Sequence, residues 1–83
     1  MSGVARKYDL LAHRLASSGA DRLTLTLDEL ERIVGGLPAS ARAYPAWWAN
    51  DRSHVQAVAW LDAGYRVDAL ALGERVTFAK ARA

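Results

Sequence analysis

Between Asn50 and Gln56 the chain reads NDRSHVQ, where every residue except Val55 carries a hydrogen-bonding head, and a Trp47-Trp48 pair lies just upstream. Arginine pairs in bidentate fashion with guanine, and asparagine or glutamine with adenine. Asn50, Arg52 and Gln56, with Ser53 and His54 among them, therefore have the residue types that read base edges in duplex DNA. If a helix starts here, its unpaired N–H groups and positive dipole end favour phosphate as well. Arg42, Arg66, Arg75, Lys80 and Arg82 are the cations from which further phosphate contacts are expected. Asp51 repels phosphate and counts against this assignment. Each candidate also has a structural use. Ser53 and Gln56 have capping-box spacing, Asn50 and Asp51 are common turn formers, Arg52 can pair with Asp51 or Glu31, and His54 fits beside a helix cap.

Catalytic chemistry finds little support in the same residues. The chain has two histidines, His13 and His54, no cysteine, and no HExxH, CxxC or glycine-rich phosphate loop. Asp51 and His54 alone make neither a metal site nor a triad. No catalytic residue, metal ligand or cofactor is expected.

A length of 83 residues and a mass of 9.0 kDa allow one small domain, whose core must enclose its large side chains. The net charge of +2 does not by itself identify a polyanionic partner. Nine of the eleven cations are arginine, a choice that suits phosphate and base edges and also follows from GC-rich coding. Trp47 and Trp48 cannot both face inward from an extended segment. One is expected in the core, leaving the other as a stacking platform or a contact for a protein partner; Trp60 is expected in the core. Exposed tryptophan and arginine favour protein contacts, so a protein-interaction module or homodimer built on Tyr44 to Trp60 is the alternative to DNA binding. No apolar run approaches the roughly 20 residues of a membrane helix, and MSGVARKYDLLAH lacks the apolar segment of a signal peptide. A cytoplasmic protein is the expectation.

The elements that must hold these residues follow from periodicity. Tyr8, Leu11, Ala12 and Leu15 have helical spacing, stopped by Ser17-Ser18-Gly19. RLTLTL alternates like a strand with one wet face. Thr26 to Glu29 is a capping box for a second helix that ends at Gly35-Gly36. The connector from Gly35 to Ser53 should be irregular, with a helical turn or two. Ser53 to Gln56 reads as a second capping box, opening a helix that Gly64 closes. On that helix His54, Ala57, Val58 and Leu61 share one face, and Arg52, Gln56, Ala59 and Ala63 the opposite one. Tyr65 to Leu72 alternates imperfectly, Gly73-Glu74 fits a two-residue hairpin turn, and Arg75 to Lys80 alternates with Val76 and Phe78 inward. Residues 1–7 are expected to be a frayed arm and 81–83 a loose tail.

Helix, strand, helix, helix and hairpin make an α+β domain in the order of a winged helix-turn-helix: three helices and a small antiparallel sheet. The third helix would be the recognition helix and Gly73-Glu74 the tip of the wing. The interval before the third helix is much longer than the turn of a simple helix-turn-helix. The run LPASARAYPAWWANDRSHVQAVAWLDAGYRVDALALGERVTF, with KYDLL and TLTLDELERIVG upstream, resembles a small bacterial domain family of uncharacterised function. The resemblance spans nearly the whole chain and brings no activity, substrate or cofactor with it.

Overall fold

The structure, a computed structural model, describes residues 7–81. The expected arm at 1–7 and tail at 81–83 lie outside the described residues except for Lys7 and Ala81, and Arg82 lies outside them too. Ala81 is tied down, its N–H donating to the Gly64 carbonyl at 2.8 Å.

Helix α1 (Asp9–Ser18) buries Leu11 and Leu15 and ends at Gly19, whose φ of 66° is in the left-handed region where glycine carries no Cβ penalty. Strand β1 (Arg22–Thr26) leads directly into helix α2 (Leu27–Val34). The expected capping box joins them: the Glu29 N–H donates to Thr26 Oγ1 at 3.1 Å, and the Thr26 N–H to Glu29 Oε1 at 2.8 Å. The connector holds helix α3 (Ala39–Ala43) and a 3-10 turn (Pro45–Trp48), which are its helical turns; α3 brings the α-helices among the described residues to four instead of three. Helix α4 (Val55–Asp62) and strands β2 (Tyr65–Ala71) and β3 (Arg75–Lys80) complete the chain.

The strands form one antiparallel sheet in the order β1-β3-β2. The domain is a small α+β fold in the element order expected, with α3 and the 3-10 turn filling the long interval before α4. The imperfect alternation of β2 has a local cause. A register shift between Val67 and Ala69 leaves Asp68 as an extra residue, so Val67 and Leu70 both turn to the core while Arg66, Ala69 and Ala71 turn away. The core centres on Trp60, fully enclosed, which stacks on Trp48 with ring centroids 5.8 Å apart and lies against Phe78 at 5.7 Å.

Three local expectations are corrected. First, α4 has no capping box: its cap residue, His54, makes no side-chain bond to the helix, and Gln56 lies inside, its Nε2 donating to the Trp47 carbonyl at 3.0 Å. Second, the buried face of α4 is Gln56, Ala57, Ala59 and Trp60, while Val55 is 58% exposed. The largest apolar side chain sets the rotation: seating Trp60 between Trp48 and Phe78 carries Gln56 and Ala59 inward with it. Third, the hairpin loop is Leu72 to Glu74, with Gly73 second in the turn at φ 78° and the Glu74 N–H donating to Ala71 O at 2.9 Å. A turn that needs its positive φ there puts glycine one place later than a two-residue loop would. The tip does not project freely. The Leu27 N–H donates to Glu74 O at 2.9 Å, and a Cβ on Gly73 would lie 3.6 Å from the Arg42 carbonyl.

Candidate nucleic-acid interface

The residues nominated at the start of α4 separate into framework and surface. Asn50 is fully engaged: Oδ1 accepts from Trp60 Nε1 at 2.9 Å and from the Val67 N–H at 2.8 Å, and Nδ2 donates to the Val67 carbonyl at 3.0 Å. Gln56 is buried on the Trp47 carbonyl. Neither amide has its head free for a base. The Ser53 N–H donates to Asp51 Oδ1 at 2.8 Å, which holds the Asp51 carboxyl below the usual aspartate range. Ser53 and His54 remain exposed, and Arg52 pairs with Asp62 Oδ1 at 2.8 Å along the outside of α4. The outward face of this helix thus offers Val55, Val58 and Asp62, an apolar and acidic set unlike a base reader, while Leu61 packs against the core.

The tryptophans are also framework. Trp48 is buried, with Nε1 donating to the Ala41 carbonyl at 2.8 Å, which takes it out of reach of a partner. A 3-10 turn rather than an extended segment lets both neighbours turn inward: Trp47, half-buried, meets Trp48 and Tyr8 edge-on. Tyr44 stays 63% exposed.

The nominated cations of the hairpin belong to a different surface, the outer face of the sheet. Side chains alternate across a strand and antiparallel partners stand opposite each other, so the register sorts this face into three rows. These are Arg22, Ala79 and Arg66; then Thr24, Thr77 and Ala69; then Thr26, Arg75 and Ala71. Thr24 Oγ1 and Thr77 Oγ1 are 2.8 Å apart at the centre. Lys80 lies at the end of the sheet, where it lines a cleft of about 560 Å³ with Asp21, Arg22, Arg66, Ala79 and Ala81. Arg75 pairs with Glu74 at 3.2 Å. Arg42 is elsewhere, 2.8 Å from Glu31 and 3.8 Å from Asp28 of α2. The structure therefore brings Arg66 and Arg75 to one face, puts Lys80 opposite Tyr65 at the end of the sheet and out of phase with that face, and leaves Arg42 and Arg52 elsewhere. Arg22 and Thr24 join that surface without having been candidates, although the alternation of RLTLTL already puts them on a wet face.

Charge divides between the layers. The strands carry Arg22, Arg66, Arg75 and Lys80 against Asp68, whereas the α-helices carry Asp9, Asp28, Glu29, Glu31 and Asp62 against Arg14, Arg32 and Arg42. Asp68 bridges the first row, 2.5 Å from Arg22 and 3.2 Å from Arg66. Its hydrogen bond from Arg22, then the charges of Arg22 and Arg66, hold its carboxyl below the usual aspartate range. The folded state therefore binds this proton less readily than the unfolded chain does. The stabilisation is present above the unfolded value of about 3.9 and is lost as pH falls through the lower folded value. Asp68→Asn is expected to flatten part of the acid limb of a stability-against-pH curve followed by urea denaturation; an unaltered limb would show that the bridge is fully screened by solvent.

Among the described residues, no group of three or more His, Cys, Asp or Glu side chains lies where it could hold a metal ion, and no helix is long and apolar enough to cross a membrane. Neither a search of curated proteins nor a search of solved structures found a match. A family model does match, over residues 8–82, and covers the sheet and every helix described above. The chain belongs to that family, a domain of unknown function (DUF7662).

Proposed function

We propose that this is a binding domain for nucleic acid, duplex DNA above all, and that it makes contact with the outer face of its sheet instead of with α4. The observation that carries this is the division of charge: the outer sheet face carries Arg22, Arg66 and Arg75 against Asp68 and, beside Arg75, Glu74, while the acidic excess lies on the helices. A polyanion meets attraction on the first surface and a more acidic one on the helical side. In winged-helix terms the sheet takes over the contact role first given to the recognition helix, because α4 commits Gln56 to the fold and presents Val55 and Asp62 outward. A DNA partner also makes the cytoplasm of a bacterial cell the natural compartment.

The test is fluorescence anisotropy of a labelled random-sequence duplex, titrated at salt concentrations from about 50 to 200 mM. Affinity is expected to fall with salt, and the double variant Arg22→Gln, Arg66→Gln to reduce the slope of log K against log salt by about 1.8, roughly 0.9 for each phosphate that is no longer neutralised. Arg52→Gln, on the opposite layer, is expected to leave the slope unchanged. Circular dichroism of each variant checks the fold. If Arg52→Gln lowers the slope and the sheet variant does not, contact returns to α4; no binding at any salt removes nucleic acid altogether.

A protein partner, including a second copy of this chain, is the other reading, and exposed Val55 beside the groove between α1 and α4 is the feature in its favour. Sedimentation equilibrium decides the homodimer case directly, since a monomer mass at all concentrations excludes it.

A further inference from the structure

We propose that the outer sheet face seats in the major groove of duplex DNA, with its arginine rows against the two phosphate walls and its threonine row over the base edges. This rests on the nucleic-acid reading above and adds the mode of docking.

Spacing supplies the first argument. The row of Arg22, Ala79 and Arg66 and the row of Thr26, Arg75 and Ala71 are four residues apart along β3. At a rise of about 3.3 Å per residue, this separates the cations at the two ends of the face by roughly 13 Å. The major groove is about 12 Å wide and admits a two-stranded β-ribbon, and the minor groove is about 6 Å wide, so of the two only the major groove approaches the span of this three-stranded face. Arg22 and Arg66 at one end, and Arg75 at the other, where it also pairs with Glu74 at 3.2 Å, therefore stand towards phosphates on opposite walls, contacts that fix register without reading sequence.

The middle row supplies the second argument. Thr24, Thr77 and Ala69 are short, so no large side chain holds the sheet away from the groove floor. The two threonine hydroxyls bond to each other at 2.8 Å, which leaves one hydrogen and lone pairs on both oxygens for base edges, and threonine and alanine methyls suit the thymine methyl group. Asp68 does not oppose this approach, because it lies between two guanidiniums and the row keeps a net positive charge.

Composition supplies the third. Proteins that hold single strands stack bases on aromatic side chains. The nine residues of this face include none, and Trp48, Trp60, Tyr65 and Phe78 are all turned into the core. Stacked, paired bases are the form of nucleic acid that a flat face of arginine, threonine and alanine can use.

The experiment compares four ligands for the intact chain: a labelled duplex, its single strand, the same duplex with netropsin filling the minor groove, and a duplex whose cytosines carry glucosylated hydroxymethyl groups that fill the major groove. Glucosylation is expected to weaken binding at least roughly tenfold and the single strand to bind roughly tenfold more weakly than the duplex. Netropsin is expected to change affinity less than about twofold, the minor groove being left unread. Competition by netropsin with indifference to glucose, or equal affinity for single strand and duplex, would overturn major-groove docking and leave nucleic-acid binding standing. Absence of binding to every ligand would overturn both.

Discussion

Asn50→Ala is expected to destabilise the domain by about 2–4 kcal/mol, a large effect for a residue at the surface. The reason is the number of bonds its amide closes. Oδ1 accepts two donors, Trp60 Nε1 and the Val67 N–H, and Nδ2 donates to the Val67 carbonyl. Strand β2 is an edge strand of the sheet, and at Val67 the asparagine amide does for both backbone groups what a further strand would do. Truncation also leaves the indole N–H of a fully enclosed tryptophan without its acceptor, the most costly of the three losses. Asn50→Asp separates the contributions. It keeps the acceptor and replaces the donor with an anion facing the Val67 carbonyl, so about 1–2 kcal/mol should be lost at neutral pH. Part of that should return in acid, when protonation restores a donor. Urea denaturation of the three proteins at two pH values gives both numbers. A deficit for Asn50→Ala below about 0.5 kcal/mol, accompanied by weakened DNA binding, would instead make Asn50 a base reader.

Trp48→Ala is the second large effect, expected to cost about 3–5 kcal/mol. Trp48 stacks on Trp60 with an interplanar angle of 18°, meets Trp47 edge-on at 4.6 Å, and donates to the carbonyl of fully buried Ala41. It is the piece through which the 3-10 turn and α3 are attached to the core. A domain of this size has about 4–12 kcal/mol in total, so the variant should lose much or all of its cooperative thermal transition. Trp48→Phe keeps an aromatic ring against Trp60 and leaves only the Ala41 carbonyl unpaired, so about 1–2 kcal/mol is expected. The pair of values divides the side chain into packing and hydrogen bonding. Near-ultraviolet circular dichroism, which reports the environment of the remaining tryptophans, follows the change. Equal midpoints for wild type and Trp48→Ala would show that the connector docks without this indole.

The elements most legible in the chain are those specified by residues close together. Thr26 and Glu29 cap each other across three positions, Gly19 and Gly35 end helices locally, and RLTLT and RVTFAK alternate with period two. The start of α4 misleads for a related reason. Ser53 and Gln56 have the spacing of a capping box, but the glutamine amide finds a stronger claim in the Trp47 carbonyl nine residues back, a partner that no local pattern announces. The same holds for Asn50 and Val67, seventeen residues apart in sequence and joined by two hydrogen bonds. A polar side chain at a helix start has equal credentials as a reader and as a brace, and the choice depends on what folds against it.

The sequence alone determined the α+β class, the element order and the arrival of two tryptophans in the core. These follow from short-range periodicity and from the need of a small chain to bury its largest side chains. Tertiary structure decided which face of α4 points outward, because seating Trp60 against Trp48 and Phe78 sets the helix rotation. It also decided which cations stand together. Arg22 and Arg66 are far apart along the chain and come to one carboxylate, Asp68, only because β3 pairs with β1 on one side and β2 on the other. Long-range strand pairing makes that surface, and its order is a property of the assembled sheet that no local run of residues contains.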